Sequence, residues 1–449
     1  DLLLSILYGI CEKSPQEAIA YVVDMGAGSL LAFRGAPQLS DVLTHADIAK
    51  IENLFKVLRH EVESRRNLFA GRMANLSAYN ANSKTPVPSI LVILNNLAGL
   101  LELVPSIEDA LVALMREGAH YGIHFVLSAT SPREVRFRIA ASCSYTLALR
   151  LADEDDYATI FGSMRGISIP KGTGRGLVRD EDEIKTFQSA YVAPLDKNPL
   201  NTIEQIKKDA QKRWKDLSAK EVPLLPEILR STDIEAAVDK NRLTLGMSGD
   251  TLEPIFWDIT HTRSVLIASK QLLFAEMTLC ELCREAHEKG MEVVVVDPEV
   301  RLGKAPLWAK TLDYTKAAAY IAVRDNSIPC LVVVANFKLL AKAEETLTKE
   351  SYAILTQAAL GTKEGVAFIG IATSTEMTSL QEISLGSRYA LKTELFWIGE
   401  GVSSQYGIPL AGGTPQLKNK YGEGGGFKVV KGKAEPVKFV CASDADMWE

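Results

Sequence analysis

The chain lacks the features that mark disulfide-rich, membrane-spanning and nucleic-acid-binding proteins. Its six cysteines are scattered along 449 residues, which fits a reducing compartment. No run of apolar residues approaches the ~18 that a membrane-spanning helix needs. The net charge is −6 at pH 7, so the chain offers no basic field that could bind a polyanion.

An initiator methionine and a signal peptide are also absent, because the chain opens at Asp1 with an apolar helical stretch. We therefore expect a segment of a longer protein. The apolar fraction of 47% is ample for full hydrophobic cores. A chain of this length accommodates two α/β domains of roughly 200 residues each.

A short apolar strand that ends on asparagine occurs twice, in residues 89–101 and 330–340. The blocks that follow the two copies also correspond, at a nearly constant offset: 125–130 with 368–373, 144–149 with 387–392, and 174–178 with 424–429. A repeat this long indicates a tandem duplication of one domain type. The sequence predicts three segments: a first domain over 1–195, a linker with a charged helix over 196–238, and a second domain over 239–449.

Strand and helix patterns alternate through both copies. Residues 18–24 and 292–297 are apolar runs of the kind that form buried parallel strands. Residues 48–69 have the pattern of an amphipathic helix, whereas the polar residues 75–88 predict a loop. This alternation is typical of an α/β fold. We expect two tandem domains of the P-loop NTPase type, each with a parallel sheet flanked by helices.

Polar side chains follow the predicted strands in both copies. They are Asp24, Asn95, Asn96 and Thr130 in the first copy, and Ser269, Lys270, Asp297, Asn336 and Thr373 in the second. Open parallel sheets bind ligands at the carboxyl ends of their strands, so we expect each set to lie together at that edge. In a P-loop fold this edge carries the acids that hold Mg²⁺ and a polar sensor of the γ-phosphate.

The phosphate-binding loop of such folds, G-x-x-x-x-G-K-[ST], is absent from the chain. In the second copy only residues 269–271 separate a predicted strand from the next helix. The acidic pair of the Mg²⁺ site is also replaced, by Asn95 and Asn96 in the first copy and by Ala335 and Asn336 in the second. An amide supplies neither charge to Mg²⁺ nor a base for water. We therefore expect both sites to be catalytically silent.

Three arginines are candidates for reaching the nucleotide site of a neighbouring subunit: Arg138, Arg150 and Arg175. For Arg175, which lies in a Gly-Thr-Gly-Arg-Gly run, a plain hairpin turn is the favoured alternative. Cys280 and Cys283 are spaced like half a metal site, but they lie within a predicted helix with no second pair nearby. Core packing is therefore favoured for them, and no metal site is expected.

Five blocks, taken in order, resemble the FtsK/SpoIIIE-type ATPase domains of the type VII secretion ATPases EssC, EccC and YukB: VVDMGAG, ILVILNNLAGLL, YGIHFVLSAT, YTLALRL and GRGLV. The resemblance extends over nearly the whole chain and best fits the last two of three tandem ATPase domains. It implies a RecA/FtsK-like fold and degenerate nucleotide sites in these downstream domains. ATP and Mg²⁺ are the cofactors that the family implies, although the missing Walker residues argue against both here.

The resemblance also implies a cellular role. Members of the family lie at the cytoplasmic face of the plasma membrane, tethered by helices upstream of the region that this chain resembles, and they assemble as hexamers. Their partners are small helical-hairpin Esx substrates, which are recruited through a C-terminal signal that docks on the last ATPase domains. Nucleic acid is not an expected partner.

Three function classes follow. The chain could supply substrate-recognition and assembly modules of a secretion ATPase, an active ATP-driven FtsK-like DNA translocase, or a scaffold with vestigial pockets. The acidic charge and the missing Walker residues argue against the translocase. For the first class, we expect the signal to bind a cleft left by the lost nucleotide site of the second domain, lined by Ser269, Lys270, Asn336 and Phe337.

Overall fold

The structure is a computed structural model of the chain. It describes residues 2–70, 75–180, 183–194, 198–303, 305–380, 383, 385–386, 394–399 and 422–443. The chain divides into two compact units, Asp1–Leu224 (unit 1) and Leu225–Glu449 (unit 2). The division falls inside the segment 196–238, and the charged helix of that segment belongs to unit 1.

Unit 1 alternates helices and strands. Its helices are α1 (Leu2–Cys11), α2 (Ile48–Phe69), α3 (Leu76–Asn82), α4 (Leu97–Leu103), α5 (Glu108–Glu117), α6 (Phe137–Ala140), α7 (Asp155–Phe161) and α8 (Pro199–Arg213). Its strands are β1 (Ala18–Asp24), β2 (Leu39–Leu43), β3 (Ser89–Asn95), β4 (Ile123–Leu127), β5 (Leu147–Ala148), β6 (Arg175–Asp180) and β7 (Glu183–Gln188). Short 3-10 helices lie at Ser29–Phe33, Pro105–Ile107, Gly118–Tyr121 and Pro132–Glu134.

Four strands of unit 1 form a parallel sheet in the order β2-β1-β3-β4, and β5, β6 and β7 form a separate antiparallel sheet. Alternate residues of β1 and β3 enter two different apolar clusters, so the parallel sheet is covered on both faces. Helix α2 covers one face, because its apolar side chains recur every three or four residues and form one buried stripe. The apolar side chains of this stripe are Ile51, Leu54, Phe55, Leu58 and Val62.

Unit 2 is built from the same kinds of element. Its helices are α9 (Leu272–Glu288), α10 (Tyr314–Val323), α11 (Phe337–Lys342), α12 (Lys349–Ala359) and α13 (Ser374–Leu380), with 3-10 helices at Ser231–Asp233 and Ala343–Glu345. Its strands are β8 (Arg242–Ser248), β9 (Pro254–Asp258), β10 (Ser264–Ser269), β11 (Glu292–Val296), β12 (Lys310–Leu312), β13 (Cys330–Val334), β14 (Val366–Thr373), β15 (Glu394–Ile398), β16 (Gly425–Val430) and β17 (Lys433–Phe439).

The strands of unit 2 form one sheet in the order β12-β11-β13-β14-β10-β15-β16-β17-β8-β9. The strands from β12 to β15 are parallel, and those from β15 to β9 pair antiparallel. The inner parallel strands are almost wholly apolar, because both of their faces are buried. The predicted α/β architecture with parallel sheets flanked by helices is therefore confirmed.

The two parallel sheets repeat one arrangement. Strands β2, β1, β3 and β4 of unit 1 have the order and direction of β12, β11, β13 and β14 of unit 2. In unit 2, β10 pairs with the far side of β14. Within the described part of unit 1, no strand occupies the corresponding place, so β4 lies at the edge of its sheet.

Two local expectations were wrong, and one lies outside the described residues. Residues 75–88 contain helix α3, which Asn75 caps by accepting the N–H of Ala78 at 3.0 Å. Residues 145–151, whose apolar pattern predicts a strand along their whole length, contain only the two-residue strand β5. The block 387–392 lies outside the described residues. Among the residues that are described, no helix is both long and apolar enough to cross a membrane.

Candidate functional site

In unit 1, parallel pairing brings the ends of β1 and β3 together. Asp24 is the register partner of Asn95, and the Asn95 side chain donates Nδ2–H to Asp24 Oδ1 at 2.7 Å. The same carboxylate accepts the backbone N–H of Gly26 at 3.0 Å and that of Leu30 at 3.1 Å. Asp24 is 2% exposed. Its oxygens are thus occupied by the chain's own donors, which fix the loop after β1.

Ser128, just beyond β4, joins this network. Its hydroxyl donates to Asn95 Oδ1 at 2.6 Å and accepts the backbone N–H of Asn96 at 2.9 Å. Thr130, and not Ser128, was expected at this position. Thr130 turns away and bonds Glu134 through its own N–H and hydroxyl. Serine at the end of β4 was the available signal, but the sequence did not indicate which of the two hydroxyls would face the asparagines.

Asn96 is a helix cap. Its Oδ1 accepts the N–H of Gly99 at the start of α4, and its Nδ2–H donates to the carbonyl of Met25. Its backbone is left-handed, with φ at 62°, a conformation that asparagine tolerates better than most residues. The side chain predicted to stand at a Mg²⁺ site therefore holds two backbone segments together.

Unit 2 repeats this arrangement at β11. Asp297 Oδ1 accepts the N–H of Arg301 at 2.9 Å, and Oδ2 accepts that of Leu302 at 2.8 Å. Asp297 is 8% exposed and follows β11 as Asp24 ends β1. In both units the aspartate after the second-from-edge strand fixes its own loop.

The remaining predicted polar groups of unit 2 are also bonded within the chain. Ser269 is fully buried, and its hydroxyl lies 2.7 Å from the carbonyl oxygens of Gln271 and Ile398. Asn336 caps α11 through Leu339 N–H, as Asn96 caps α4. Thr373 accepts the N–H of Glu376 and donates its own N–H to the Glu376 carboxylate, which makes a reciprocal cap of α13.

Acidic side chains surround one arginine at this edge of unit 2. Arg301 pairs with Glu376 at 3.4 Å, and Asn336 donates to Glu299 at 2.7 Å. Burial, and then the charge of Asp297, raise the pKa of Glu276, whereas Arg301 lowers it. This field is unfavourable for a polyphosphate.

Two expectations for the cleft of unit 2 have different outcomes. Lys270 is exposed after β10, as a cleft residue should be. Phe337, in contrast, is fully buried: it packs edge-on against Phe368 at a ring distance of 6.3 Å and lies beside Gly370. The prediction that Phe337 lines a cleft is therefore wrong, because the first residue of α11 points into the core between helix and sheet.

The candidate arginines lie on the surface of unit 1. Arg138 pairs with Asp109 at 2.9 Å, and Arg175 bonds the side chain of Gln188 at 3.2 Å within the β6–β7 hairpin. Arg150 is exposed just after β5. None of these contacts tests a role in a neighbouring subunit.

ATP and Mg²⁺ do not fit the residues at either edge. The buried aspartates accept backbone N–H groups of the loops that follow them. Of the threonines that could sense a phosphate, Thr130 donates to the Glu134 carboxylate and Thr373 caps α13. The described residues contain no group of three or more potential metal ligands. The chemistry of the donors thus agrees with the missing phosphate-binding loop.

Residues 1–179 match the family model described as the FtsK/SpoIIIE family. The matched residues make up most of unit 1. Among curated relatives, the ESX secretion system protein YukB of Bacillus subtilis is 25% identical over 264 residues, which are 57% of this chain and 17% of the relative. The type VII secretion system protein EssC of Staphylococcus aureus is 23% identical over 301 residues, 64% of this chain and 20% of the relative. The chain therefore spans a fifth or less of the length of these relatives.

Solved structures of EssC and EccC proteins from other organisms share the fold. EssC (ATPases 2 and 3) from Geobacillus thermodenitrificans superposes with a TM-score of 0.72 at 16% identity and covers 98% of this chain and 88% of that one. EccC (ATPases 2 and 3) from Thermomonospora curvata, in complex with a signal sequence peptide, gives 0.58 at 18% identity and covers 98% and 86%. The predicted P-loop fold and the resemblance to type VII secretion ATPases are confirmed.

Proposed function

We propose that the two units are ATPase-fold modules of a type VII secretion motor protein that recognise substrates and assemble the translocase without hydrolysing ATP. The observation that carries this proposal is the hydrogen bonding of the polar side chains at the carboxyl ends of the parallel strands in both units. Asp24 and Asp297 hold the loops that follow them, and Asn96 and Asn336 cap helices. Among the described residues, these four side chains are engaged by the chain itself, and the two asparagines replace the acidic pair that anchors Mg²⁺ for phosphoryl transfer.

The partners follow from the relatives. The T. curvata EccC structure contains a signal sequence peptide, and this supports a signal-binding role for the corresponding domains of this chain. We propose small helical-hairpin Esx-type proteins as the substrates, and a hexamer as the assembly of the full protein. We place it at the cytoplasmic face of the plasma membrane, anchored by helices elsewhere in the polypeptide. The acidic net charge favours a peptide over nucleic acid as the ligand.

Unit 2 is the proposed receptor, with a surface that replaces the cleft expected around Phe337. Leu273 on α9 is 45% exposed, and Val300 in the loop after β11 is 69% exposed. Glu276 of the same helix as Leu273 is affected electrostatically by Asp297 and Arg301, which flank Val300 in sequence. Val300 has a φ of 54°, which is strained for a β-branched residue and typical of functional loops. An amphipathic signal helix would lay its apolar face on these side chains.

Two titrations test the proposal on the full chain. A fluorescent ATP analogue with Mg²⁺ should show no saturable binding at micromolar concentrations, and ATP turnover should stay at the level of the buffer. Turnover that Asn96→Ala abolishes would overturn the catalytic part of the proposal and favour the translocase alternative.

The second titration uses a labelled peptide with the C-terminal signal of an Esx-type protein. Saturable binding that Leu273→Glu and Val300→Glu each weaken at least tenfold supports the receptor surface. Val323→Glu is the matched control, because Val323 is 83% exposed at the end of α10. Equal weakening by the control, or binding that none of the three changes, would contradict the assignment.

A further inference from the structure

The segment that follows α8 lies on unit 1 without forming a helix or a strand. We call residues 219–223 the strap. Its first residue donates the Ala219 N–H to the carbonyl of Pro37 at 2.8 Å. Its last accepts a hydrogen bond at the Pro223 carbonyl from Asn53 Nδ2–H at 2.9 Å. Between them, Val222 is 2% exposed and belongs to the apolar cluster under α2.

The receiving surface is the groove between the edge strand β2 and the first turns of α2. Lys50 lies between Asp41 at 2.7 Å and Glu221 of the strap at 3.5 Å. Asn53 is 8% exposed and is a polar residue among the buried apolar side chains of α2. A buried amide requires a partner, and the strap supplies it. The identity of residue 53 is thus explained by the strap and not by the packing of the helix.

The strap is not packed as a core element. A pocket of about 320 Å³ that is open to solvent remains beside it along β2, so the strap fills the groove only in part. The Glu221 side chain is 80% exposed. The strap is held by one buried apolar side chain, two hydrogen bonds to its backbone and one exposed ion pair. Contacts of this kind are typical of a short bound peptide.

Beyond the strap, the chain next makes hydrogen bonds at Glu227, within unit 2. Lys438 Nζ donates to the carbonyl of Glu227, Cys441 N–H donates to Leu229 at 2.9 Å, and Arg230 donates to the carbonyl of Cys441 at 3.0 Å. Residues 224–226 separate the two sets of anchors and reach at most about 10 Å when extended. With the strap released, residues 219–226 reach about 27 Å.

We propose that the groove between β2 and α2 is a peptide-binding groove that the chain fills in cis with its own strap. Its ligand class is an extended peptide in which an acidic residue precedes a small apolar residue and proline, as in Glu221-Val222-Pro223. A peptide of this class in trans displaces the strap and lengthens the tether to unit 2. This inference is independent of the proposed secretion function.

Binding is tested on the full chain with a fluorescent peptide of residues 217–226. Val222→Asp removes the apolar contact of the strap, so the variant should bind the peptide at least tenfold more tightly than the unsubstituted chain. Adding Asn53→Ala should abolish that gain. Val238→Asp, at a fully exposed valine in unit 2, is the matched control and should leave the affinity unchanged. A scrambled peptide that binds equally well, or a Val222→Asp chain that binds no more tightly, would overturn the proposal.

Displacement is read from trypsin cleavage at Lys220, an exposed residue within the strap. Val222→Asp should raise the cleavage rate at least tenfold, and saturating peptide should raise the rate of the unsubstituted chain. Glu221→Gln removes the ion pair with Lys50 at an exposed site without creating a second trypsin site, and it should raise the rate at least twofold. Unchanged rates in both variants, in a chain that remains folded by circular dichroism, would show that the strap is not held by these contacts.

Discussion

At the scale of single residues, both units use an aspartate after a buried strand to hold the next loop. Asp24 takes its donors from Gly26 and Leu30, and Asp297 takes them from Arg301 and Leu302. A buried carboxylate is stable only where such donors neutralise its desolvation. The geometry that the two units share therefore reflects loop structure, because both aspartates hold the loops that follow them.

Glu276 lies at the same edge of unit 2, and its ionised form is unfavourable for the stability of the folded unit. Burial first, and the nearby charge of Asp297 second, raise its pKa, whereas Arg301 lowers it. An acid whose pKa is higher in the folded than in the unfolded state binds its proton more tightly when folded. Its ionisation therefore costs stability above the folded pKa, and the cost disappears as the pH falls below the unfolded value of about 4.3.

Glu276→Gln should therefore stabilise unit 2 at pH 7. We expect a gain below about 1 kcal/mol, because the group is partly exposed and solvent screens its charge. The gain should vanish near pH 4. Urea unfolding at the two pH values measures it, with Glu288→Gln, at an exposed glutamate of the same helix, as the control. A loss of stability at pH 7 would show that Glu276 makes a favourable contact instead.

At the scale of elements, hydrophobic periodicity in the sequence predicted the long helices. It did not predict which side chains of the loops face the strand ends. Helix α2 has the expected bounds because buried apolar residues recur along it from Ile51 to Phe69. Helix α3 was missed because it buries only Leu76, although the Asn75 cap signalled its start. The strand ends were placed correctly, but the choice between Ser128 and Thr130 depends on a loop conformation that no periodicity records. Phe337 was misplaced for the same reason.

The two asparagine caps permit a prediction about α4 and α11. Replacing either by alanine removes a cap, which costs about 1 kcal/mol. Asn96 also has a left-handed backbone, whereas Asn336 has a φ of −128°. Alanine in the left-handed region costs roughly 1 kcal/mol more. We therefore expect Asn96→Ala to destabilise its unit by about 1 kcal/mol more than Asn336→Ala destabilises the other.

Glycine distinguishes the two contributions. It has no Cβ penalty in the left-handed region, so Asn96→Gly should recover most of the stability that Asn96→Ala loses. Asn336→Gly should differ little from wild type, since glycine is also an acceptable cap. Urea unfolding curves of the four variants measure these differences. An Asn96→Gly chain as unstable as Asn96→Ala would show that the bond to Met25, and not the backbone, dominates.

At the scale of the whole molecule, the two units share the arrangement of four parallel strands but differ in the strands that follow in the sheet. The parallel sheet of unit 1 ends at β4, whereas that of unit 2 continues through β10 into an antiparallel extension. The strap lies on unit 1, and the exposed apolar side chains that we assign to signal binding lie on unit 2. Duplication thus provides two platforms with the same core and different surfaces.

Separate cores predict separate unfolding. Leu54 is fully buried in a cluster of unit 1, and Phe337 is fully buried in a cluster of unit 2. Truncation to alanine should cost about 2–5 kcal/mol for the leucine and about 3–5 kcal/mol for the phenylalanine. Scanning calorimetry of the full chain should show two transitions, with each substitution lowering only one of them. Leu307→Ala, at a fully exposed leucine, should move neither. A single transition that both core substitutions lower together would mean that the two units unfold as one cooperative body, because only then does damage to either core reach the other.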